Sequence, residues 1–335
     1  MPLSHRPLIP SRPWQQELAR AVRDPAELLA LLDLDPALLP AAEVAVRAFP
    51  LRVPRGYVAR MRRGDAADPL LRQVLPLAAE QDIVPGFGRD PVGDLAAMTV
   101  PGLLHKYRGR VLLTTTGACA IHCRYCFRRH FPYDDANPAA NRWQQALDYV
   151  ARDASIEEVI LSGGDPLTLA DEKLADLCRR LGAFEHVRRV RFHTRLPIVL
   201  PERVTASLLA AIRPVRGTSV VVVHANHANE IDDAVRAALD ALRQAGHTLL
   251  NQSVLLRGVN DDVDALCDLS AKLFDAGVLP YYLHLLDRVQ GAAHFDVDVE
   301  TASRLHAALR ARLPGYLVPR LVREEAGLPG KTPVA

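Results

Sequence analysis

Three cysteines within eight residues place the strongest constraint on how this chain can fold. Cys119, Cys123 and Cys126 follow a short apolar run, 111–116, in the segment VLLTTTGACAIHCRYCFRRHF. The spacing C-x3-C-x2-C has an odd count and is too tight for structural disulfides. Thiolates held this close must surround one compact object, and a metal cluster is the natural candidate. The apolar run predicts a β-strand that carries the cysteine loop at its end.

Three thiolates match a [4Fe–4S] cubane in which one iron keeps an open coordination position. Such an iron can bind a small molecule, and we expect the amino and carboxylate groups of S-adenosylmethionine there. One alternative is a zinc site with His122 or His130 as fourth ligand, and another is reduced cysteines in a loop. Structural zinc sites usually consist of two separated ligand pairs, and the sequence has no second pair. The spacing therefore favours the cluster.

From residue 110 onward, apolar runs rich in Val, Leu and Ile alternate with amphipathic stretches. Such runs are typical of buried parallel strands. The expected strands are 110–116, 157–162, 188–194, 218–224, 248–256 and 279–286. The expected helices are 141–153, 170–182, 203–213, 230–245, 261–276 and 299–312. Six strand-then-helix units predict an α/β fold, a partial (β/α)6 TIM-type barrel, with a doubly wound sheet as the alternative.

The same patterns divide the chain into three segments. We expect an N-terminal helical region at 1–100, the barrel core at 101–313 and a C-terminal segment at 314–335 that closes the active site. Helical apolar spacing in the first segment is punctuated by prolines and covers 14–23, 25–32 and 41–49. No catalytic constellation is evident there, so this region is expected to pack on the core or pair with it.

Composition excludes several classes of protein. The 335 residues are 49% hydrophobic, which suffices for a large core. A formal net charge of +2 predicts no strong attraction to nucleic acid or to a membrane surface. No apolar run is long enough to span a bilayer, and the polar N-terminus does not resemble a signal peptide. Free cysteines favour a reducing compartment, so we expect a cytoplasmic protein.

Polar and glycine residues recur at the carboxyl ends of the expected strands. In either fold, the active site of such a protein lies at that edge of the sheet. Glycines there allow the backbone to approach a ligand closely, although a tight turn also explains them. The residues at these strand ends are Ser162, Gly163, Gly164, Asp165 and Arg195, and Gln252 lies within the fifth expected strand.

The motifs resemble a known family. A C-x3-C-x-aromatic-C motif after a first strand resembles the radical S-adenosylmethionine superfamily. The segment CAIHCRYCFRRHF, with PGLLHKYRGRVLL before it and LLNQSVLLRGVNDD and PGKTPV after it, resembles the lysine 2,3-aminomutase family. Within it, the short C-terminus and the opening PWQQELARAVRDPAELLALL resemble the branch that makes (R)-β-lysine for modifying elongation factor P. Catabolic members carry a longer, cysteine-containing C-terminal extension.

The resemblance implies an isomerase that converts L-lysine to β-lysine through a 5'-deoxyadenosyl radical. Its cofactors would be a [4Fe–4S] cluster on the three cysteines, S-adenosylmethionine at the strand ends and pyridoxal 5'-phosphate (PLP). An electron donor such as flavodoxin or ferredoxin would be needed, and an elongation factor P ligase would take the product. A homo-oligomer is compatible with the family. The alternatives are an aminomutase for another amino acid such as glutamate, catabolic or antibiotic β-lysine synthesis, and a structural metal-binding protein.

The resemblance also implies roles for charged residues outside the cysteine loop. Lys331 would form the Schiff base with PLP, and Arg128 would bind the α-carboxylate of lysine. Asp287 and Glu324 would bind the distal ammonium of lysine, because a buried cation requires carboxylates. The residues expected to hold the PLP phosphate are Lys106, Tyr107 and Arg110.

Two of these positions depart from the family pattern. Lys106 stands where we expect arginine, so the point charge of an ammonium replaces a bidentate guanidinium. Glu324 stands where we expect aspartate, with a longer side chain. Without the family, Lys331 and Glu324 would be solvated tail residues, and the segment 105–110 would be a basic surface turn.

Overall fold

A ten-stranded sheet dominates the computed structural model, which describes residues 14–134, 143–213 and 217–334. The strands follow the chain order from one edge of the sheet to the other. They are β1 Met98–Val100, β2 Leu103–Tyr107, β3 Arg110–Thr116, β4 Glu158–Gly163, β5 Arg189–Thr194, β6 Thr218–Val223, β7 Thr248–Val254, β8 Leu279–His284, β9 Arg320–Arg323 and β10 Thr332–Pro333.

Seven of these strands, β3 to β9, pair in parallel, each with its sequence neighbour. A doubly wound sheet would reverse the strand order at a switch point, and no reversal occurs here. Within the described residues, β1 and β10 form the two edges, so the barrel is open. The predicted partial TIM-type barrel is confirmed, and the doubly wound alternative is wrong.

All six predicted strands are present, and β7 and β8 end two residues earlier than expected. Strands β1, β2, β9 and β10 were not predicted. Gly109 has a φ of 76°, which allows a tight turn at residues 108–109 between β2 and β3. Within the segment 105–110, the other four residues belong to paired strands, so only the tip of this hairpin is a turn. In the tail, β9 extends the parallel set and β10 pairs with it in the antiparallel direction.

Five of the described helices begin at aspartate caps. Asp24, Asp68, Asp232, Asp262 and Asp298 each accept a hydrogen bond from a backbone N–H in the first turn of the helix that follows. The helices are α1 Trp14–Ala19, α2 Pro25–Leu31, α3 Leu39–Ala48, α4 Arg55–Val58, α5 Pro69–Arg72, α6 Gln144–Arg152, α7 Asp171–Gly182, α8 Leu196–Val199, α9 Ala206–Ala211, α10 Asp233–Gln244, α11 Val263–Asp275 and α12 Val299–Arg312.

Most predicted helices match these bounds to within three residues. The prediction 203–213 is too long, because Thr205 caps a helix that starts only at Ala206. Residues 141–142 of the predicted helix 141–153 lie outside the described residues. Among the described residues, no helix is long and apolar enough to cross a membrane.

Among the described residues, three buried hydrophobic clusters pack the sheet against its helices, and the largest of them contains most of the core. On β4, Val159 and Leu161 are fully buried in this core, while Ile160 and Ser162 line the opposite, inner face. Residues of the N-terminal region, such as Leu70, belong to the same core. The alternation along β4 therefore directs Val159 and Leu161 outward to the helices, and it directs Ile160 and Ser162 inward to the cavity.

The core position of Leu161 can be tested by truncation. Leu161→Ala should lower the free energy of unfolding by about 2–5 kcal/mol, because it opens a cavity in a closely packed layer. Val44→Ala is the control, since Val44 is 47% exposed and should change stability by no more than about 0.5 kcal/mol. Chemical denaturation followed by circular dichroism measures both, and equal effects would contradict this description of the core.

Candidate active site

A cavity of about 420 Å³ opens at the carboxyl ends of the parallel strands. Small-molecule sites typically have volumes of about 300–1,000 Å³. All the sequence-predicted site residues line this cavity. They are Cys119, Cys123, Cys126, Lys106, Tyr107, Arg110, Arg128, Ser162, Gly163, Gly164, Asp165, Arg195, Gln252, Asp287, Glu324 and Lys331.

The cysteine loop packs directly on the glycine turn that ends β4. The Gly164 N–H donates to the Thr116 carbonyl at 2.7 Å, and the Asp165 N–H donates to the Ala118 carbonyl at 2.8 Å. A Cβ atom at Gly164 would lie 2.2 Å from the Ala118 oxygen, so any larger residue would displace the loop. Gly163 has a φ of 118°, which also requires glycine. These two glycines therefore position the cysteine loop as well as lining the cavity.

The N-terminal region holds the other side of the cysteine loop through a buried ion network. Arg124 and Arg129 both donate to the Glu80 carboxylate, and all three side chains are almost completely buried. Arg129 also donates to the Gly291 carbonyl at 2.9 Å. The two arginines neutralise the buried Glu80 carboxylate, and the network therefore stabilises one conformation of the cysteine loop.

The donor set of the loop matches an iron–sulfur cluster. Burial raises the pKa of Cys119, and it raises the pKa of Cys126 to about 11, with the neighbouring thiolates adding to both shifts. Such thiolates need a strongly positive centre beside them to stay ionised. Among the described residues, no three His, Cys, Asp or Glu side chains converge on one metal ion. A cubane does not require that convergence, because each thiolate binds a different iron.

The two histidines that could have completed a zinc site contact backbone carbonyls. His122 Nδ1 donates to the Pro50 oxygen at 2.8 Å, and His130 Nε2 donates to the Gln290 oxygen at 3.1 Å. Both pKa values are lowered, chiefly by burial. These contacts account for both rings as structural residues that anchor the loop.

Asp165 joins the ends of two strands. Its carboxylate accepts hydrogen bonds from the Thr194 hydroxyl at 2.7 Å, the Arg195 N–H at 2.7 Å and the Leu196 N–H at 3.1 Å. The Leu167 N–H donates to it as well, at 3.0 Å. Burial nevertheless raises its pKa. Asp165 lines the cavity, but its oxygens are engaged in fixing the β4 and β5 ends.

Alternating charges run along one wall of the cavity. The Arg128 guanidinium donates to Asp94 at 2.7 Å, and Lys106 contacts the other oxygen of Asp94 at 2.6 Å. Lys106 also lies 3.6 Å from Glu324, which accepts from Lys331 at 2.5 Å. This charge series links the expected carboxylate-binding arginine to the expected Schiff-base lysine.

Asp94 is a cavity residue that was not predicted from the sequence. It lies in the N-terminal region, where no catalytic constellation was expected, and it is only 3% exposed. Burial opposes its ionisation, but Arg128 and Lys106 hold its pKa below the usual value. Nothing around Asp94 in the sequence indicates a ligand, because its partners are 12 and 34 residues away.

The ammonium of Lys331 is held by Glu324 in this structure. The second Glu324 oxygen accepts from the Tyr107 hydroxyl at 2.5 Å. Burial opposes ionisation of Glu324, yet Lys331, Tyr107 and Lys106 keep its pKa below the usual value. The interpretation of Glu324 and Lys331 as solvated tail residues is therefore wrong, since 12% and 24% of their side chains are exposed.

Asp287 lies three residues beyond β8, because the strand ends at His284 and not at residue 286 as expected. Burial raises its pKa to about 7, Glu324 and Asp94 add to the shift, and Lys331 opposes it. A cation bound beside Asp287 would reverse this shift, because an opposite charge favours the ionised carboxylate.

The residues expected to bind the PLP phosphate differ in how far contacts within the protein already engage them. Lys106 donates to the Val92 carbonyl at 2.7 Å in addition to its contacts with the two carboxylates. The Arg110 guanidinium lies over the Tyr107 ring, 4.5 Å from its centroid. Arg191 lines the cavity nearby and is paired with Glu158. The guanidinium of Arg110 is thus better placed for an anion than Lys106.

Three histidines line the inner wall of the cavity at the ends of different strands. Burial lowers the pKa of His193, His224 and His284, and nearby cations add to each shift. All three are therefore neutral near pH 7. The buried Nε2 atom of His193 has no hydrogen-bond partner in the protein, so it is available to a polar ligand bound in the cavity.

Comparison with known proteins agrees with this geometry. The model of the Radical SAM superfamily matches residues 113–269. The L-lysine 2,3-aminomutase of Escherichia coli K12 is 50% identical over 97% of this chain and 95% of its own length. The Haemophilus influenzae enzyme of the same name is 47% identical over 95% of this chain and 94% of its own. The Clostridium subterminale enzyme is 34% identical over 96% and 77%.

The open barrel and its cysteine loop thus form a radical S-adenosylmethionine domain, a class that uses a [4Fe–4S] cluster and S-adenosylmethionine. More narrowly, the chain belongs to the lysine 2,3-aminomutase family, and it is an isomerase. The resemblance stated from the motifs is confirmed.

The raised pKa of Asp287 has a consequence for stability. Between about pH 4 and pH 7 the folded state keeps a proton on Asp287 that the unfolded state loses. The free energy of unfolding therefore falls as pH rises through this range. Asp287→Asn removes this effect. The free energy of unfolding of the variant minus that of the wild type should therefore increase from pH 4 to pH 7.

Denaturation of the cofactor-free proteins at several pH values measures this difference. Asp82→Asn is the control, because Asp82 is exposed and its difference from the wild type should stay constant. A flat difference for Asp287→Asn would show that this carboxyl group is already ionised in the folded protein at pH 4.

Proposed function

We propose that this protein is an L-lysine 2,3-aminomutase that converts L-lysine to β-lysine. The observation that carries the proposal is the convergence of Lys331, Arg128, Asp287 and the cysteine loop on one cavity. A lysine substrate needs a carboxylate partner, an ammonium partner and a reactive group between them. The cavity has each of these, on elements that are far apart in the sequence.

Residues of this chain would hold the three cofactors. Cys119, Cys123 and Cys126 would bind the cluster, and Lys331 would bind PLP through its Nζ atom. When bound, the cluster with S-adenosylmethionine supplies a 5'-deoxyadenosyl radical, and PLP supplies an aldehyde that holds the amino group of the substrate. The residues proposed to lie around S-adenosylmethionine are Ser162, Gly163, Gly164, Asp165, Arg195 and Gln252.

The phosphate of PLP would lie at the inner wall near β2 and β3. We assign the main contact to Arg110, with Tyr107 and Lys106 beside it. Lys106 is engaged with Asp94, so its contribution to a phosphate is a positive field more than a direct hydrogen bond. The orphaned Nε2 of His193 offers a further polar contact for a ligand in this part of the cavity.

Arg128 would bind the α-carboxylate of lysine. Asp94 fixes the Nε side of its guanidinium, and the Ser162 hydroxyl accepts from Nη1 at 3.2 Å. A guanidinium oriented in this way presents its donors in a fixed direction, so the substrate loses little binding energy to reorganisation. Asp94 would thus act as a positioning residue for Arg128.

Asp287 and Glu324 would bind the distal ammonium of lysine. Two carboxylates in a buried wall repel a negatively charged side chain, so a glutamate substrate is disfavoured. In the structure Glu324 already holds an ammonium, that of Lys331, at 2.5 Å. This ion pair supports the role that we propose for Glu324, because the distal group of the substrate is also a lysine ammonium.

Glu324 is paired with the Lys331 Nζ atom at 2.5 Å. An amine forms a Schiff base only in its neutral form. A Lys331 that held PLP would therefore no longer be an ammonium partner of Glu324, and the Glu324 carboxylate would be available to the distal ammonium of the substrate.

The pathway assignments follow from the family branch. We propose a one-electron donor of the flavodoxin or ferredoxin class, and transfer of (R)-β-lysine to elongation factor P by a ligase. We also propose a cytoplasmic location. Catabolic or antibiotic β-lysine synthesis is the alternative destination for the product.

The direct test uses protein reconstituted anaerobically with iron and sulfide. Incubation with a reductant, S-adenosylmethionine, PLP and L-lysine should yield β-lysine, measured by chromatography and mass spectrometry. Omission of any one cofactor should abolish the product. Conversion of glutamate in place of lysine would move the assignment to another aminomutase, and a zinc-containing protein with no activity would contradict an enzyme altogether.

Lys331→Ala should lower turnover by about a hundredfold or more, because PLP loses the tether that orients it. Borohydride treatment of the wild type with PLP should leave a reduced adduct on Lys331, located by peptide mass spectrometry, and the variant should lack it. Lys173→Ala is the matched control, since Lys173 is an exposed lysine on α7. An adduct that persists in Lys331→Ala would place the cofactor on another lysine.

Asp287→Asn should raise KM for lysine by about tenfold or more, because a hydrogen bond to a charged group contributes about 1.5–3 kcal/mol. The borohydride adduct on Lys331 should remain, which separates loss of substrate binding from loss of PLP. Asp82→Asn should leave both measurements unchanged. An unaltered KM in Asp287→Asn would remove this residue from the substrate site.

A further inference from the structure

A buried arginine contacts one of the cluster cysteines directly. Arg195 follows β5 and is 6% exposed. Its Nη1 atom donates a hydrogen bond to the Cys123 sulfur at 2.7 Å. Because the guanidinium donates directly to this sulfur, a full positive charge is held beside one of the three sulfurs expected to bind the cluster.

Other buried groups fix the second end of the guanidinium. The Nη2 atom donates to Gln73 Oε1 at 2.6 Å and to Glu230 Oε2 at 2.8 Å, and the Tyr57 hydroxyl lies 3.3 Å away. Glu230 is itself fully buried. These contacts hold Nη2, and Nη1 is left to donate to Cys123.

Glu230 is held as firmly as the arginine that it neutralises. Its other oxygen accepts from the Asn226 and His227 N–H groups at 2.8 and 3.1 Å, and from the Gln73 amide at 3.2 Å. A carboxylate with this many donors remains ionised in the folded protein. The charge arrangement around Cys123 is therefore an ordered sequence of thiolate, guanidinium and carboxylate.

We propose that Arg195 is a positioning residue that raises the reduction potential of the cluster through Cys123, and that Glu230 limits this increase. Reduction adds negative charge to the cluster and its sulfurs. A donor N–H and a positive charge beside a sulfur stabilise the reduced state more than the oxidised state. Glu230 acts in the opposite direction, because its charge lies on the far side of the same guanidinium.

This role differs from a contact between Arg195 and S-adenosylmethionine, and the difference can be measured. A residue that only binds S-adenosylmethionine changes the affinity for that molecule but not the potential of the cluster in its absence. The experiment is therefore a redox titration of the reconstituted protein without S-adenosylmethionine, followed by electron paramagnetic resonance. The iron and sulfide content is measured for each variant.

Arg195→Gln should shift the midpoint potential to a more negative value by about 60 mV, which is a tenfold change in the equilibrium constant for one electron. Glu230→Gln should shift it to a more positive value, and Arg195→Lys should lie between the wild type and Arg195→Gln. A purely structural role for these residues does not predict shifts of opposite sign. If Arg195→Gln fails to bind iron, the lysine and Glu230 variants decide the question.

Arg203→Gln is the matched control. Arg203 is a fully buried arginine paired with Asp171 at 2.7 Å, and it does not line the cavity. This variant should lower stability and leave the potential unchanged. An unshifted potential in cluster-loaded Arg195→Gln, or a shift of the same sign in Glu230→Gln, would overturn the proposal.

The inference rests on the cluster of the radical S-adenosylmethionine domain and does not depend on lysine as the substrate. Its outcome is therefore separable from the test for β-lysine. A protein that forms β-lysine but shows no shift would keep the proposed function and lose this role for Arg195. A shift without β-lysine formation would do the reverse.

Discussion

The parallel strands end at one edge of the sheet, and the whole site depends on this constraint. Each strand delivers the residues at its carboxyl end to the same cavity, whatever their distance along the chain. The glycine turn after β4 then brings the cysteine loop against the neighbouring strand ends, because no side chain at Gly164 fits between them. Cluster ligands, Arg195 and the tail lysine can therefore meet although more than two hundred residues separate Cys119 from Lys331.

Charge organises the cavity once the strands have placed its residues. The series Arg128, Asp94, Lys106, Glu324 and Lys331 alternates in sign, so each buried ion has a partner and none carries the full cost of desolvation alone. A charged substrate can enter such a series by replacing one member with another of the same sign. Arg195 and Glu230 form a further buried pair of opposite charges, and this pair lies beside Cys123.

The fold was largely predictable because its signals are local. Buried strands and amphipathic helices have characteristic periods, and aspartate caps mark the helix starts. Strand β9 and the hairpin of β1 and β2 were missed, because they are short and gain stability from neighbours that the sequence places far away. For the same reason Asp94 carried no signal, whereas Cys119, Arg128 and Lys331 lie within recognisable motifs.

The sequence alone determined the class of chemistry. The cysteine spacing is a short-range pattern that indicates a cluster, and the PGKTPV segment suggests a reactive lysine through its resemblance to the aminomutase family. Only the folded chain established the environment of each group, such as the engagement of Lys106 by Asp94 or the contact of Arg195 with Cys123. These partners are set by three-dimensional proximity, and the energy of a buried charge depends on what lies within a few ångströms of it.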